Sequence, residues 1–283
     1  MKLSASLIRQ AVKAALAEDI GPGDVTSLAT LPKSARCVAA MRAREPLIVS
    51  GLAFASGAFR ELSRRVEIKT LVPDGHLAEV GEVLLEVSGS ARAILGAERV
   101  ALNFVQRLSG VATATAQFVA AVRGTNARIL DTRKTTPGWR LFEKYAVACG
   151  GGKNHRLGLY DMILIKDNHL AALRDAQPNA VAAAVTRARA QYPDLLVEVE
   201  ADTLVQVAQA VAAGADIILL DNMSPARLWQ AVQLVAGRAQ TEASGGVNLK
   251  TIGAIAKTGV DFISVGAITH SARAVDIGLD FRA

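Results

Sequence analysis

Apolar residues recur at helical spacing near the start of the chain, at Leu7, Ile8, Ala11, Val12, Ala15 and Leu16. They predict an amphipathic helix capped by Ser4 or Ser6. The pattern breaks at the turn-rich stretch DIGPGDVTS, residues 19–27. Two short runs that read as strands follow, at 35–41 and 66–72, with a helical patch at 52–62 between them. Pro73-Asp74-Gly75 marks a turn, and residues 82–87 alternate like a further strand. This first part reads as a small α+β unit. Residues 94–108 are helical by length and composition, and Leu95, Val100, Leu102, Phe104, Val105 and Leu108 cover nearly the whole circumference. Such a helix is buried on several sides, with Arg107 near its end.

From residue 127 the pattern becomes strand, loop and helix, repeated. Strands are expected at 127–130, 162–166, 195–200, 216–220, 240–243 and 261–265, and helices at 139–148, 180–190, 203–213, 225–235 and 249–257. Parallel strands joined by crossover helices are the implied architecture. Six strands fall short of the eight of a closed barrel, so the expected fold class is α/β with an incomplete, six-stranded parallel α/β barrel.

A chain of 283 residues is long enough for about two domains. With 51% hydrophobic and 20% charged residues it can bury a sizeable core. The longest uncharged run, 108–122, is shorter than the roughly 18 apolar residues that a membrane span needs. Arg9, Lys13 and Glu18 interrupt any signal-peptide core, and a cytoplasmic protein is expected. Cys37 and Cys149 lie far apart, which argues against a disulfide framework or a zinc site; Cys149 reads as a small buried helix residue. The net charge of +6 permits an anionic partner. Aromatic content of 4%, with no basic run and no reader motif, argues against nucleic acid. A small phosphorylated or carboxylated substrate accounts for the charge more simply.

Candidate chemistry concentrates between Asp131 and His169, in DTRKTTPG (131–138), GGGKNHR (150–156) and LYDMILIKDNH (159–169). Arg133 and Lys134 directly follow one predicted strand and Lys166 ends another, with His155 and Arg156 close by in sequence. Arginine offers a planar fork for carboxylate or phosphate, and lysine a point charge. In a parallel barrel the C-terminal ends of the strands share one mouth. Those ends carry Arg133, Lys134, Lys166, Glu200, Asp221, Ser244-Gly245-Gly246 and Gly266-Ala267. Glu200 could instead finish the alternating strand LVEVE in water, as Glu198 could, whereas Asp221 follows the wholly apolar IILL. Together the two carboxylates suit a hydrated Mg²⁺. The glycine turns after two strands suit phosphate. His155 and His270 read either as core histidines or as ligand contacts, and Arg107 as a snorkelling side chain or a site residue.

These stretches, with VEVE (197–200), ILLDN (218–222), SGG (244–246), VGAITHS (265–271) and GDVTS (23–27), resemble the quinolinate phosphoribosyltransferase family over essentially the whole chain. The resemblance implies an N-terminal α/β sandwich domain over 1–112, an α/β barrel over 113–271, and a C-terminal segment, 272–283, packing back on the N-terminal domain. It also implies a homodimer with active sites shared between subunits, or a higher assembly of such dimers. The implied reaction joins quinolinate to 5-phosphoribosyl-1-pyrophosphate, giving nicotinate mononucleotide, pyrophosphate and CO2 in NAD biosynthesis. By the same resemblance Arg133, His155, Arg156 and Lys166, with Arg107 of the partner subunit, would surround quinolinate's carboxylates. Lys134 would reach between the substrates, and Glu200 and Asp221 would serve the ribose and Mg²⁺, through water. Ser244, Gly245, Gly266 and His270 would hold the 5-phosphate. Lys134, Lys166, Glu200 and Asp221 are the catalytic candidates. Lys153 and Trp139-Arg140 depart from the family pattern beside its motifs. A paralogous barrel protein associated with molybdate transport is the alternative, but it carries altered forms of KTTPG and KDNH, which are intact here.

Overall fold

The computed structural model describes residues 1–282 and divides into two compact units. The first comprises Met1–Ala116, Pro137–Gly151 and the chain from Ser271 onward; the second comprises Gln117–Thr136 and Gly152–His270. These units are not continuous in sequence, because residues 137–151 join the first unit although they lie between strands of the second.

In the first unit, Ser4 accepts a hydrogen bond from Leu7 N and opens α1, Ala5–Ile20. Asp24 does the same for Ser27 N and opens α2, Val25–Thr30, a helix inside a stretch that reads as turn. Then come β1 (Arg36–Ala43), β2 (Leu47–Ile48), α3 (Leu52–Leu62), β3 (Glu67–Thr70), β4 (Leu77–Ala78), β5 (Val83–Ser90), α4 (Ala91–Ala121) and α5 (Arg140–Cys149). The C-terminal strand Ile277–Arg282, β1, β5 and β3 form an antiparallel sheet in that order, and β2 pairs with β4 in a separate ribbon. Asp74 accepts from the backbone N–H groups of Gly51 and Leu52 and from the Tyr145 hydroxyl, and so fixes the start of α3.

The helix expected to end near residue 108 does not end there. α4 continues through SGVATATA for 31 residues in all, so Arg107 is a mid-helix residue. Within that continuation Gly110 serves packing: a Cβ there would lie 2.0 Å from the carbonyl oxygen of Arg273. Glycine inside a helix costs only about 1 kcal/mol relative to alanine, which the packing overrides. Cys149, expected to be buried, closes α5 only partly buried.

The second unit follows the predicted order closely. Its strands are β6 (Arg128–Leu130), β7 (Ile163–Ile165), β8 (Val197–Ala201), β9 (Ile217–Asp221), β10 (Gln240–Ser244) and β11 (Phe262–Ser264). Its helices are α6 (Asp167–Ala171), α7 (Ala180–Gln191), α8 (Leu204–Ala213), α9 (Pro225–Val235), α10 (Ile252–Ala256) and α11 (Ala267–His270). All six strands are parallel, in the order β6-β11-β10-β9-β8-β7. Thr203 and Gln206 form a capping box at α8, and Ser224 caps α9 ahead of Pro225. β6 and β7 are the two ends of the sheet, so the barrel is incomplete. Beside β6, Lys153 makes an isolated parallel bridge with Leu130. This bridge uses Lys153's backbone alone, so it does not depend on the side chain at that position.

Candidate active site

Side chains on successive strand residues point to opposite faces, so alternate positions share the barrel interior. Leu164 and Lys166, Glu200, Leu219 and Asp221, Glu242 and Ser244, and Ser264 occupy those positions and line one cleft of about 420 Å³. Arg133, Lys134, His155, Arg156 and Gly245 complete it from the loops after β6, before β7 and after β10. Nine of the twelve residues expected to bind substrate are therefore in one cleft: Arg133, Lys134, His155, Arg156, Lys166, Glu200, Asp221, Ser244 and Gly245. Gly266 and His270 adjoin it through Lys134, since a Cβ on Gly266 would lie 3.1 Å from the His270 ring and 3.2 Å from Lys134 Cδ. Arg107 belongs to the first unit, where its guanidinium donates to Glu143 Oε1 at 2.8 Å and to the Ala272 carbonyl.

Each of the cleft's cationic residues has a partner within its unit, through side chain or backbone. Lys166 Nζ lies 3.6 Å from Glu200 Oε2, and its backbone N–H donates to His169 Nδ1 at the start of α6. Arg156 donates to the Met162 carbonyl at 3.3 Å. Burial, then the charge of Arg133, pull its pKa below the ordinary arginine value. Lys134 lends its backbone carbonyl to the Thr269 hydroxyl at 2.7 Å. Glu200 is held above the usual carboxylate range, first by burial and then by Asp221, while Lys166 opposes the shift. Asp221 accepts from Asn222 Nδ2 at 2.6 Å. Gly245 is obligatory: its φ is +96°, and a Cβ there would meet Asn222 Oδ1 at 2.1 Å.

Residues without an assigned role in the sequence analysis also build the site. Asp131, wholly buried, accepts from the Asn154 side chain and from His155 N, both at 2.8 Å. Asp131 and Asn154 sit inside DTRKTTPG and GGGKNHR, so the motifs contained them, but only the fold pairs residues 23 apart. Glu198 is wholly buried rather than in water, because the alternation that turns Glu200 inward turns Glu198 inward one pleat deeper. Glu242, on the same face of β10, is buried beside it.

An incomplete parallel α/β barrel whose mouth sets arginines and lysines against two carboxylates is the framework of an enzyme for a small, multiply anionic substrate. The comparisons narrow that class. Residues 111–280 match the model described as quinolinate phosphoribosyl transferase, C-terminal domain, and residues 24–109 match that of its N-terminal domain. The chain belongs to the quinolinate phosphoribosyl transferase family. It is 45% identical over 278 residues to the nicotinate-nucleotide pyrophosphorylase [carboxylating] of Mycobacterium leprae, covering 96% of each chain. It is 43% identical over 264 residues to the probable nicotinate-nucleotide pyrophosphorylase [carboxylating] of Bacillus subtilis, covering 93% of this chain and 89% of that one. The solved structure of nicotinate-nucleotide pyrophosphorylase from Francisella tularensis superposes with a TM-score of 0.93 at 42% identity, covering 99% of this chain and 98% of that one. No helix among the described residues is long and apolar enough to cross a membrane.

Proposed function

We propose that this chain is a nicotinate-nucleotide pyrophosphorylase. It transfers the phosphoribosyl group of 5-phosphoribosyl-1-pyrophosphate to the ring nitrogen of quinolinate, releasing pyrophosphate and CO2 and leaving nicotinate mononucleotide for NAD biosynthesis. One observation carries the reading: within a chain of this family, four cations from separate strands and loops line a single cleft together with Glu200 and Asp221 at the ends of β8 and β9. A dicarboxylate needs such cations, and a ribosyl centre that loses pyrophosphate needs such carboxylates.

Arg133, Arg156 and Lys166, with His155 beside them, hold quinolinate's carboxylates and aim its weakly nucleophilic nitrogen at ribose C1. As the C1–pyrophosphate bond breaks, C1 becomes positive, and Glu200 and Asp221 stabilise that charge. Lys134 reaches between the two substrates. Ser244, Gly245, Gly266 and His270 hold the 5-phosphate. Once the ring nitrogen is quaternary, the C2–carboxylate bond breaks, CO2 leaves, and the electron pair left on C2 is stabilised by the adjacent positive nitrogen until C2 takes up a proton from water, so no covalent protein intermediate is required. The donor set of Glu200 and Asp221, two carboxylates at an open mouth beside room for substrate oxygens, fits a hydrated Mg²⁺. When bound, Mg²⁺ neutralises the pyrophosphate leaving group. The protein acts in the cytoplasm as a homodimer, or a higher assembly of dimers, in which Arg107 of each subunit serves the other's cleft.

The test is to mix the protein with quinolinate, phosphoribosyl-pyrophosphate and Mg²⁺ and to follow nicotinate mononucleotide and CO2 together. Both products should form, and a chelator should abolish both. Product from nicotinate without CO2 would mean a different phosphoribosyltransferase. Arg133→Ala should weaken quinolinate binding severely while phosphoribosyl-pyrophosphate still binds; equal loss of both would contradict the assigned role.

A further inference from the structure

Two carboxyl groups, Glu242 at the floor of the cleft and Glu198 beneath it, are not used by the proposed reaction. Glu198 on β8 and Glu242 on β10 are both buried, and His155 Nε2 stands 3.1 Å from Oε2 of the first and 3.6 Å from Oε2 of the second. None of the four carboxylate oxygens receives an aligned hydrogen bond, a costly state for acids in a barrel core. One imidazole and two carboxylates converging in this way could take a divalent ion. The other ring nitrogen argues otherwise. Nδ1 accepts the backbone N–H of Arg156 at 2.7 Å, so it carries no proton, and the ring proton sits on Nε2. A metal-bound histidine has the opposite arrangement, with one nitrogen on the metal and an N–H donated from the other. Here Nε2–H faces the acids.

We propose that Glu198 and Glu242 are positioning residues, which hold the His155 ring as an Nε2–H donor and, through Nδ1, fix the backbone N–H from which Arg156 reaches a substrate carboxylate. The chain of contacts is continuous: carboxylates to Nε2, then Nδ1 to Arg156 N. A second anchor acts on the same turn, since Asp131 accepts from His155 N and from the Asn154 side chain. Ring and backbone of residue 155 are thereby held from two sides. Arg156 needs that hold because its neighbour in the cleft, Arg133, carries the same charge. The inference that this turn serves a substrate carboxylate rests on the reaction proposed above.

The decisive measurement is nitrogen NMR of the intact protein with ¹⁵N-labelled histidine, His155 being identified among the four histidines by loss of its signals in His155→Gln. His155 is expected to show a single Nε2–H tautomer with Nδ1 unprotonated, and both Glu198→Gln and Glu242→Gln should make the ring average between tautomers. Kinetically, Glu198→Gln, which alters the acid nearer to Nε2, should raise the quinolinate KM roughly tenfold, about the worth of a contact with a charged group, and Glu242→Gln should raise it less. The phosphoribosyl-pyrophosphate KM should stay unchanged. A protonated Nδ1 in the unaltered protein would overturn the proposal, as would loss of the Nε2–H signal on adding Zn²⁺ or Mn²⁺, or an equal rise in both KM values. If no nicotinate mononucleotide forms at all, the reaction is wrong, and the tautomer still decides whether the acids position the ring.

Discussion

A carboxyl group enclosed in a barrel next to a second carboxylate holds its proton tightly. The pKa of Glu242 is pushed up to about 8, chiefly by burial and next by Glu198, with His155 pulling the other way. In the unfolded chain the same group titrates near 4.5. Between these values the folded protein keeps a proton that the unfolded chain has released, so folding stability falls as pH rises from about 4.5 to about 8. Denaturant titrations across that range should find the fall in the unaltered protein and a flatter profile in Glu242→Gln. An unchanged slope in the variant would assign it to another group. At Gly245 the constraint is steric: Gly245→Ala should cost about 1–3 kcal/mol from the misplaced Cβ and the left-handed backbone. It should also weaken phosphoribosyl-pyrophosphate more than quinolinate, as paired binding titrations would reveal.

The elements of the first unit depend on contacts distant in sequence. Glu45 accepts hydrogen bonds from the Arg273 guanidinium and from Asp276 N, which ties the turn after β1 to the approach of the C-terminal strand. Those bonds, that from Arg273 first, lower the pKa of Glu45 to about 2 from 4.5. Its contribution is therefore complete above about 4.5 and is lost as pH falls towards about 2. Hydrogen-exchange protection in Ile277–Arg282, taken relative to the intrinsic rate at each pH, should fall over that window, and in Glu45→Gln it should already be low at neutral pH. For α4, helix propensity and packing make opposite forecasts. Gly110→Ala gains about 1 kcal/mol as a helix former, but its Cβ would overlap the Arg273 carbonyl. Net destabilisation of about 1–3 kcal/mol is expected; a raised Tm would mean the segment at 273 yields instead.

On the scale of the whole molecule, the proposed dimer makes a prediction that a monomer cannot meet. Arg107→Ala and Arg133→Ala alter different units, and each alone should be nearly inactive. Mixed after unfolding and refolding together, they should regain part of the activity, because one cleft of each hybrid draws an intact Arg107 and an intact Arg133 from opposite subunits. No recovery would place Arg107 with its own subunit's cleft or outside catalysis.

The chain by itself determined a good deal. The period of its apolar positions marked the parallel strands and helices of the barrel, and strand ends that carry Arg133, Lys134, Lys166 and Asp221 marked its mouth. These signals are local, written within a few residues of each position they describe. The tertiary structure decided what depends on partners far along the chain. It carried α4 past Gly110 because Arg273 closes against it. It joined residues 137–151 to the first unit. It also turned Glu198 into the barrel core, where β10 supplies Glu242 and the loop before β7 supplies His155. An alternating strand shows only that two faces differ; which face is buried, and what charge waits there, is settled by the strands that fold beside it.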